Sequence, residues 1–127
     1  HAALGKAASM SGPFDFNITT TGIFGSSYKP RVIWFGIEPA GGIITLANII
    51  LDQLQEIGID RDRQNFVPHL TIARIKYLEN KNHFQEVISR HRQGQIQKEE
   101  VNAFHLFESR LSLGGPKYTV LNSYLLK

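Results

Sequence analysis

The sequence predicts an α+β fold in which strands and helices mix along the chain. Three features of its 127 residues support this prediction. Short segments alternate apolar and polar residues as strands do, longer segments repeat apolar residues at helical spacing, and breaks rich in Gly and Pro separate them. The predicted order is (α)ββαβαββ. Strands joined by short turns are expected to pair antiparallel, and strands joined through a helix are free to pair in parallel.

The first half of the chain is predicted to contain a helix end, two strands and a complete helix. Helix formers dominate residues 1–9. "FDFNITTTGIF" (14–24) alternates as a half-buried strand does, and "RVIWFGI" (31–37) is a continuous apolar run that predicts a buried strand. Residues 43–57 carry apolar side chains at helical spacing, and Gly58 stands where a glycine commonly ends a helix.

The second half is predicted to contain a strand, a helix and two further strands. "HLTIARI" (69–75) is the first of these strands, and either Asn80 or Asn82 is placed to cap the helix that follows. "EVNAFHLFESRLS" (100–112) is predicted to be one long strand. A Gly-Gly-Pro turn separates it from the last strand, "KYTVLNSYLL" (117–126).

Composition limits the class of protein. The length fits a single domain spanning residues 1–127. There is no cysteine, which excludes disulfides and thiolate metal sites, and the apolar runs are too short to span a bilayer. A soluble cytoplasmic protein is therefore expected. The net charge of +3 suits a polyanionic partner without requiring one.

A polar pair in the strand 69–75 is the main candidate for chemistry. His69 and Thr71 share one face of the strand, whereas Leu70 and Ile72 point to the other face and are expected to be buried beneath a helix. Imidazole titrates near neutral pH, so His69 is a candidate general acid or base. Thr71 could donate to a phosphoryl oxygen. The alternatives are a hydrogen-bonded strand histidine and a threonine selected for its β-propensity.

Basic and aromatic side chains around this pair are candidates for substrate binding. Arg31 and Arg74 could contact phosphate, and Tyr28 and Tyr118 could stack on a base. Strict alternation puts Arg74 on the face opposite His69, so pairing with a carboxylate or exposure at the strand end is its alternative role. Packing is the alternative role for the two tyrosines.

The sequence contains none of the common metal or nucleotide-cofactor motifs. HExxH, GxGxxG and the P-loop pattern are all missing, and the histidines are not spaced as a ligand cluster. No metal and no cofactor are therefore expected.

Three segments occur here in one order: "GIFGSSYKPRVIWFGI" (22–37), "PHLTIAR" (68–74) and "ESRLSLGGPKYTVL" (108–121). Together they closely resemble the RNA 2′,3′-cyclic phosphodiesterases, also called 2′-5′ RNA ligases, of the 2H phosphoesterase superfamily. The resemblance extends from about Phe14 to the end of the chain. It implies two similar lobes of antiparallel sheet and helices around a cleft, each lobe contributing one H-x-T-x strand.

The resemblance also implies roles for the polar pair. His69 matches one of two catalytic histidines, and Thr71 matches one of two threonines that hold the phosphate. In the family's reaction one histidine activates water while the other protonates the leaving ribose oxygen. That opens a 2′,3′-cyclic phosphate to a 2′-phosphate without a metal, with 2′-5′ RNA ligation as a further activity that the resemblance implies.

The chain departs from the family pattern in one respect, because it contains no first H-x-T-x motif. In the family that motif lies upstream of the helix on which this sequence opens. The chain is therefore predicted to lack an N-terminal strand, the first motif and most of the first helix. A missing strand leaves an unpaired sheet edge, which self-association or a bound N-terminal peptide would cover.

Three functions remain open at this point. The first is hydrolysis of RNA 2′,3′-cyclic phosphate ends. The second is a phosphodiesterase acting on a small cyclic nucleotide or ADP-ribose cyclic phosphate, and the third is a non-catalytic RNA-binding module. Strong salt dependence would favour RNA over a small nucleotide, and indifference to replacement of His69 would favour the binding module.

Overall fold

The computed structural model describes residues 1–26, 29–62 and 66–127. No helix within these ranges has both the length and the hydropathy needed to cross a membrane. The elements of these ranges, in chain order, are α1 (Ala2–Ser9), β1 (Phe14–Gly25), β2 (Pro30–Glu38), α2 (Gly41–Glu56), β3 (His69–Arg74), α3 (Lys81–Arg90), β4 (Gln97–Val101), β5 (Ala103–Ser112) and β6 (Gly115–Leu125).

The strands form a four-stranded sheet, in the order β3-β2-β1-β4, and a separate ribbon of β5 and β6. The predicted α+β class is confirmed. The hairpin pairs β1–β2 and β5–β6 are antiparallel, as expected for strands joined by short turns. β2 and β3 are joined through α2 and are also antiparallel, so this pair does not use the parallel arrangement that such a connection allows. The long connection through α2 permits either direction, and the prediction had no local signal with which to choose.

The predicted strand 100–112 is two strands. β4 ends at Val101 and pairs within the four-stranded sheet, whereas β5 begins at Ala103 and pairs with β6. Between them lies Asn102, whose carbonyl accepts a hydrogen bond from the Leu126 N–H at 2.8 Å. Asparagine is a poor strand residue, but the break exists because the two halves of this segment pair with different partners.

The chain forms two compact units. The ribbon unit comprises His1–Phe14, Thr45–Gln64 and Glu100–Lys127, and the sheet unit comprises Asp15–Ile44 and Asn65–Glu99. The division falls within α2 and β4, and it also separates Phe14 from the rest of β1.

The core of the ribbon unit lies where α1 and α2 meet the ribbon. Leu4 and Ala8, one helical turn apart on α1, are buried together with Tyr124 of β6. Ile50 and Leu54 of α2 pack against this cluster, also one turn apart, as the amphipathic pattern of residues 43–57 predicts.

The end of α2 confirms the role predicted for Gly58. This residue adopts φ of +94°, a conformation that favours glycine. Its N–H donates to the Gln55 carbonyl at 3.1 Å, and the Ile59 N–H reaches back to the Leu54 carbonyl at 3.0 Å. Both bonds satisfy carbonyls that the end of the helix would otherwise leave unpaired.

In the sheet unit, helix α3 lies over the face of the sheet that carries Ile33, Phe35 and Ile72. These side chains and Val87 and Ile88 of the helix line a cavity of about 530 Å³. The prediction that Leu70 and Ile72 are buried is wrong, because each remains 45% exposed. β3 is an edge strand, so only one neighbouring strand shields it.

The N-terminus of α3 is capped by Asn80 rather than Asn82. The Asn80 side-chain oxygen accepts a hydrogen bond from the His83 backbone N–H at 2.9 Å. We expect Asn80→Ala to lower the free energy of unfolding by about 1 kcal/mol, since an amide N–H then loses its acceptor. Asn82→Ala is the matched control and should be neutral or slightly stabilising, because alanine has the higher helix propensity. Equal losses in urea denaturation would contradict this assignment.

Candidate functional site

The pairing of β2 with β3 places the polar pair on one face. His69 lies opposite Gly36, and Thr71 lies opposite Trp34. Residues opposite each other in an antiparallel pair point to the same side of the sheet. His69 and Thr71 therefore share the face that carries Trp34, as the two-residue period predicts.

A bulge follows Thr71 in β3. The next pairs in the ladder are Ile33 with Ala73 and Val32 with Arg74, which leaves Ile72 as the extra residue. Val32 and Trp34 lie two apart on β2 and share a face. Arg74, as the partner of Val32, is thereby returned to the face of Trp34.

Arg74 therefore lies on the same face as His69 and Thr71. The prediction that it points to the opposite face is wrong, because strict alternation does not hold across a bulge. At a strand rise of about 3.3 Å per residue, Arg74 is about 10 Å along the chain from Thr71.

His69 is held between aromatic rings and a backbone carbonyl. Its ring lies edge-on to Phe24, with centroids 4.9 Å apart, and its centroid is 6.5 Å from that of Trp34. Its Nδ1–H donates to the Val67 carbonyl at 2.8 Å. In the neutral imidazole this bond leaves Nε2 unprotonated, so Nε2 of this exposed side chain can accept a proton.

Two glycines make room for this arrangement. A Cβ on Gly22 would lie 2.1 Å from the Trp34 ring, and a Cβ on Gly36 would lie 2.2 Å from the Thr20 hydroxyl oxygen. Both distances are far below van der Waals contact. The indole of Trp34 therefore lies directly over the β1 backbone at Gly22.

A groove of about 900 Å³ opens at the end of this sheet, where β2 begins and β3 ends. The Ile75 N–H donates to the Arg31 carbonyl at 2.8 Å and continues the β2–β3 pairing to its rim. We call it the basic groove, and define it by the lining residues Lys29, Arg31, Arg74, Lys76, Tyr77 and Lys81. It contains both arginines that the sequence singled out.

The sequence also singled out two tyrosines, Tyr28 and Tyr118, as candidates for stacking on a base. Tyr28 lies outside the described residues. Tyr118 belongs to the ribbon unit, where its side chain is 65% exposed and its ring centroid is 6.4 Å from that of Phe107. The sheet unit thus brings His69, Thr71 and Arg74 to one face, and Arg31 joins Arg74 in the basic groove.

Sequence reasoning missed the aromatic surroundings of His69. The run 32–37 is uniformly apolar as a sequence, although Trp34 and Gly36 alternate onto one face of it. The pair Gly22 and Phe24 repeats this pattern on β1. A large aromatic two residues from a glycine on neighbouring strands was the available signal, since glycine permits close approach of a ring.

This face offers acid–base chemistry from an imidazole, hydrogen-bond donation from a hydroxyl and positive charge from a guanidinium. These are the groups that bind and turn over a phosphoryl centre. Among residues 1–26, 29–62 and 66–127 there is no group of three or more His, Cys, Asp or Glu side chains placed to hold a metal ion.

Residues 1–111, most of the chain, match the 2′-5′ RNA ligase superfamily. The chain belongs to this superfamily. The resemblance inferred from the three sequence segments is thereby confirmed.

A curated relative supports this assignment. The RNA 2′,3′-cyclic phosphodiesterase of Aquifex aeolicus is 34% identical over 116 residues, which are 90% of this chain and 61% of that protein. The chain thus spans about three fifths of the length of this relative.

Two solved structures share the fold. TT0787 of Thermus thermophilus superposes with a TM-score of 0.74 at 27% identity, over 98% of this chain and 67% of that one. LigT of E. coli, solved with 3′-AMP, gives a TM-score of 0.69 at 25% identity, over 99% of this chain and 68% of that one.

The contact between Gly22 and Trp34 can be tested through the only tryptophan of the chain. We expect Gly22→Ala to displace the indole, to shift its fluorescence emission and to cost about 1–3 kcal/mol of stability, as overpacking does. Gly12→Ala is the matched control, because no atom lies within 4 Å of the added methyl group. Identical emission and stability in the two variants would show that Trp34 does not lie over Gly22.

Proposed function

We propose that the protein containing this chain hydrolyses 2′,3′-cyclic phosphate ends of RNA to 2′-phosphates, with His69 as one of its two acid–base groups. The observation that supports this most directly is the exposed His69 imidazole on one face with Thr71 and Arg74. Membership of the 2′-5′ RNA ligase superfamily and the Aquifex relative point to the same chemistry.

The reaction needs two proton transfers on opposite sides of the phosphorus. A water oxygen attacks the phosphorus and loses a proton to a neutral imidazole, while the bond from phosphorus to the ribose 3′ oxygen breaks. That oxygen takes a proton from a second, protonated imidazole, and the phosphate stays on the 2′ oxygen. His69 suits either task, because its Nδ1–H is committed to Val67 and its Nε2 is left to exchange the proton.

Thr71 and Arg74 are proposed to hold the phosphate. The Thr71 hydroxyl can donate one hydrogen bond to a non-bridging oxygen. The Arg74 guanidinium can donate two in parallel and offsets the charge that builds on those oxygens. With protons moved by imidazoles and charge offset by a guanidinium, no step in the proposed reaction calls for a metal ion.

The second imidazole is proposed to come from a segment outside residues 1–127. The other histidines of the sheet unit are His83 and His91, and both belong to α3 or its cap rather than to the strands. His91 lines the cavity between α3 and the sheet, on the face opposite His69. The proposal therefore assigns the second proton transfer to neither of them. Ligation to a 2′-5′ linkage would use the same groups, with a 5′-hydroxyl of RNA in place of water as the attacking oxygen and the ribose 3′ oxygen again leaving with a proton.

A mononucleotide substrate is the second candidate. The E. coli relative was solved with 3′-AMP, which contains a single nucleotide and its phosphate. Hydrolysis of a cyclic mononucleotide should depend weakly on salt. An RNA strand that contacts several cations should show a steep dependence.

The role of His69 is tested in the protein that carries both motifs. We expect His69→Ala to lower turnover of a 2′,3′-cyclic phosphate by roughly 100- to 10,000-fold, the usual contribution of a positioned acid or base. Thr71→Ala should cost roughly tenfold, since it removes one hydrogen bond to a charged group.

The matched control for His69→Ala is His83→Ala, which removes an exposed histidine of the same unit and should leave turnover unchanged. All assays should contain EDTA. Near-normal hydrolysis by His69→Ala would exclude a catalytic role for this residue. Turnover that disappears with EDTA and returns with a divalent ion would contradict the metal-free reaction.

Residues 1–127 alone should hydrolyse the same substrate far more slowly than the protein with both motifs. A single imidazole cannot take the proton of water while already holding one for the leaving oxygen. The measurement is steady-state turnover of both proteins at equal concentration, with light scattering to establish their oligomeric states. Full turnover by a monomer of residues 1–127 would show that the second imidazole is dispensable.

A further inference from the structure

We propose that the basic groove binds the phosphodiester backbone of single-stranded RNA beyond the reacting phosphate, so that the preferred ligand is an oligonucleotide. This inference rests on the proposed function, because it places the RNA end at His69. It assigns a separate task to Lys29, Lys76 and Tyr77, which that function does not use.

The charge of the groove is the first argument. Five cationic residues line it, and the chain segments that form it, 29–32 and 74–81, contain one carboxylate, Glu79. Within the described part of the chain, Lys29, Arg31, Arg74 and Lys76 form no ion pair. Cations left without carboxylates in a concave surface produce a field that attracts a polyanion.

Position is the second argument. The groove and the site face share Arg74, which the bulge puts on the side of Thr71. With the reacting phosphate held by Thr71 and the guanidinium of Arg74, Lys76 of the groove follows two residues beyond the end of β3. An extended RNA strand that runs in this direction would leave the reacting end and enter the basic groove.

An exposed aromatic ring is the third argument. Tyr77 lines the groove with 79% of its surface exposed, although a tyrosine usually buries most of its ring. A positively charged groove and an exposed ring are the combination with which proteins bind single strands, because every base offers a face for stacking.

The test uses a fluorescent oligouridine that ends in a 2′-phosphate. Its affinity for the chain is measured by fluorescence anisotropy over a range of salt concentrations. For single strands each phosphate contact contributes about 0.7 to the slope of log affinity against log salt. We expect the double variant Lys29→Ala, Lys76→Ala to lower that slope by about 1.4, the sum of two such contacts. Binding of uridine 2′-monophosphate should be unchanged.

Two matched controls are available. The first tests whether the position of the lysines matters or only their charge, and the second tests whether the aromatic ring of Tyr77 is what binds. Lys98→Ala removes a lysine from β4, at the opposite edge of the same sheet, and should leave the slope unchanged. Tyr77→Ala should weaken oligouridine binding roughly fivefold or more, whereas Tyr77→Phe keeps the ring and should bind as the parent chain does.

A double variant that binds oligouridine as Lys98→Ala does would overturn the proposal, as would a chain that does not bind oligouridine at low salt. Competition by polyglutamate as strong as that by oligouridine would assign the groove to an acidic protein and overturn it too. Loss of RNA affinity in the groove variants alongside normal hydrolysis by His69→Ala would support the groove and reject the proposed function. Unchanged RNA affinity in the groove variants alongside slow hydrolysis by His69→Ala would reject the role of the groove and leave the proposed function standing.

Discussion

The antiparallel ladder between β2 and β3 determines which side chains share a face with His69. The strand has a two-residue period, so a register shift of one residue would send every side chain of β3 to the opposite face. The bulge at Ile72 introduces such a one-residue shift part-way along β3. It leaves the orientation of His69 and Thr71 unchanged. The residues after the bulge point to the faces opposite to those that regular alternation would give them, so Arg74 joins the face of His69 and Thr71. One extra residue thus brings a guanidinium to a face that it would not reach by regular alternation.

The aromatic packing around His69 depends on the same register. Trp34 lies opposite Thr71 and over Gly22, and together with Phe24 its ring flanks the imidazole. The Val67 carbonyl then selects the tautomer. An exposed side chain is thereby held in one orientation, which in the proposed reaction would remove part of the entropic cost of binding and turnover.

Charge contributes little to the stability of this fold and more to what the fold can bind. The ion pairs of the described residues, such as Lys6 with Glu56 and Arg90 with Glu86, lie on the surface, where each stabilises by about 1 kcal/mol or less. The basic groove differs from these paired surface sites, because carboxylates are scarce among the residues that form it. Among the described residues Lys29, Arg31, Arg74 and Lys76 form no ion pair, so their charges remain available to a ligand.

Local features of this protein were predictable from the sequence, because local chemistry determines them. A glycine ends α2 at Gly58, an asparagine caps α3 at Asn80, and the two-residue period puts His69 and its threonine on one face. The sequence alone did not determine the direction of β2 against β3, the break at Asn102 or the face of Arg74. Each of these depends on hydrogen bonds between segments far apart in the chain, and only tertiary pairing selects among the partners that the local pattern allows.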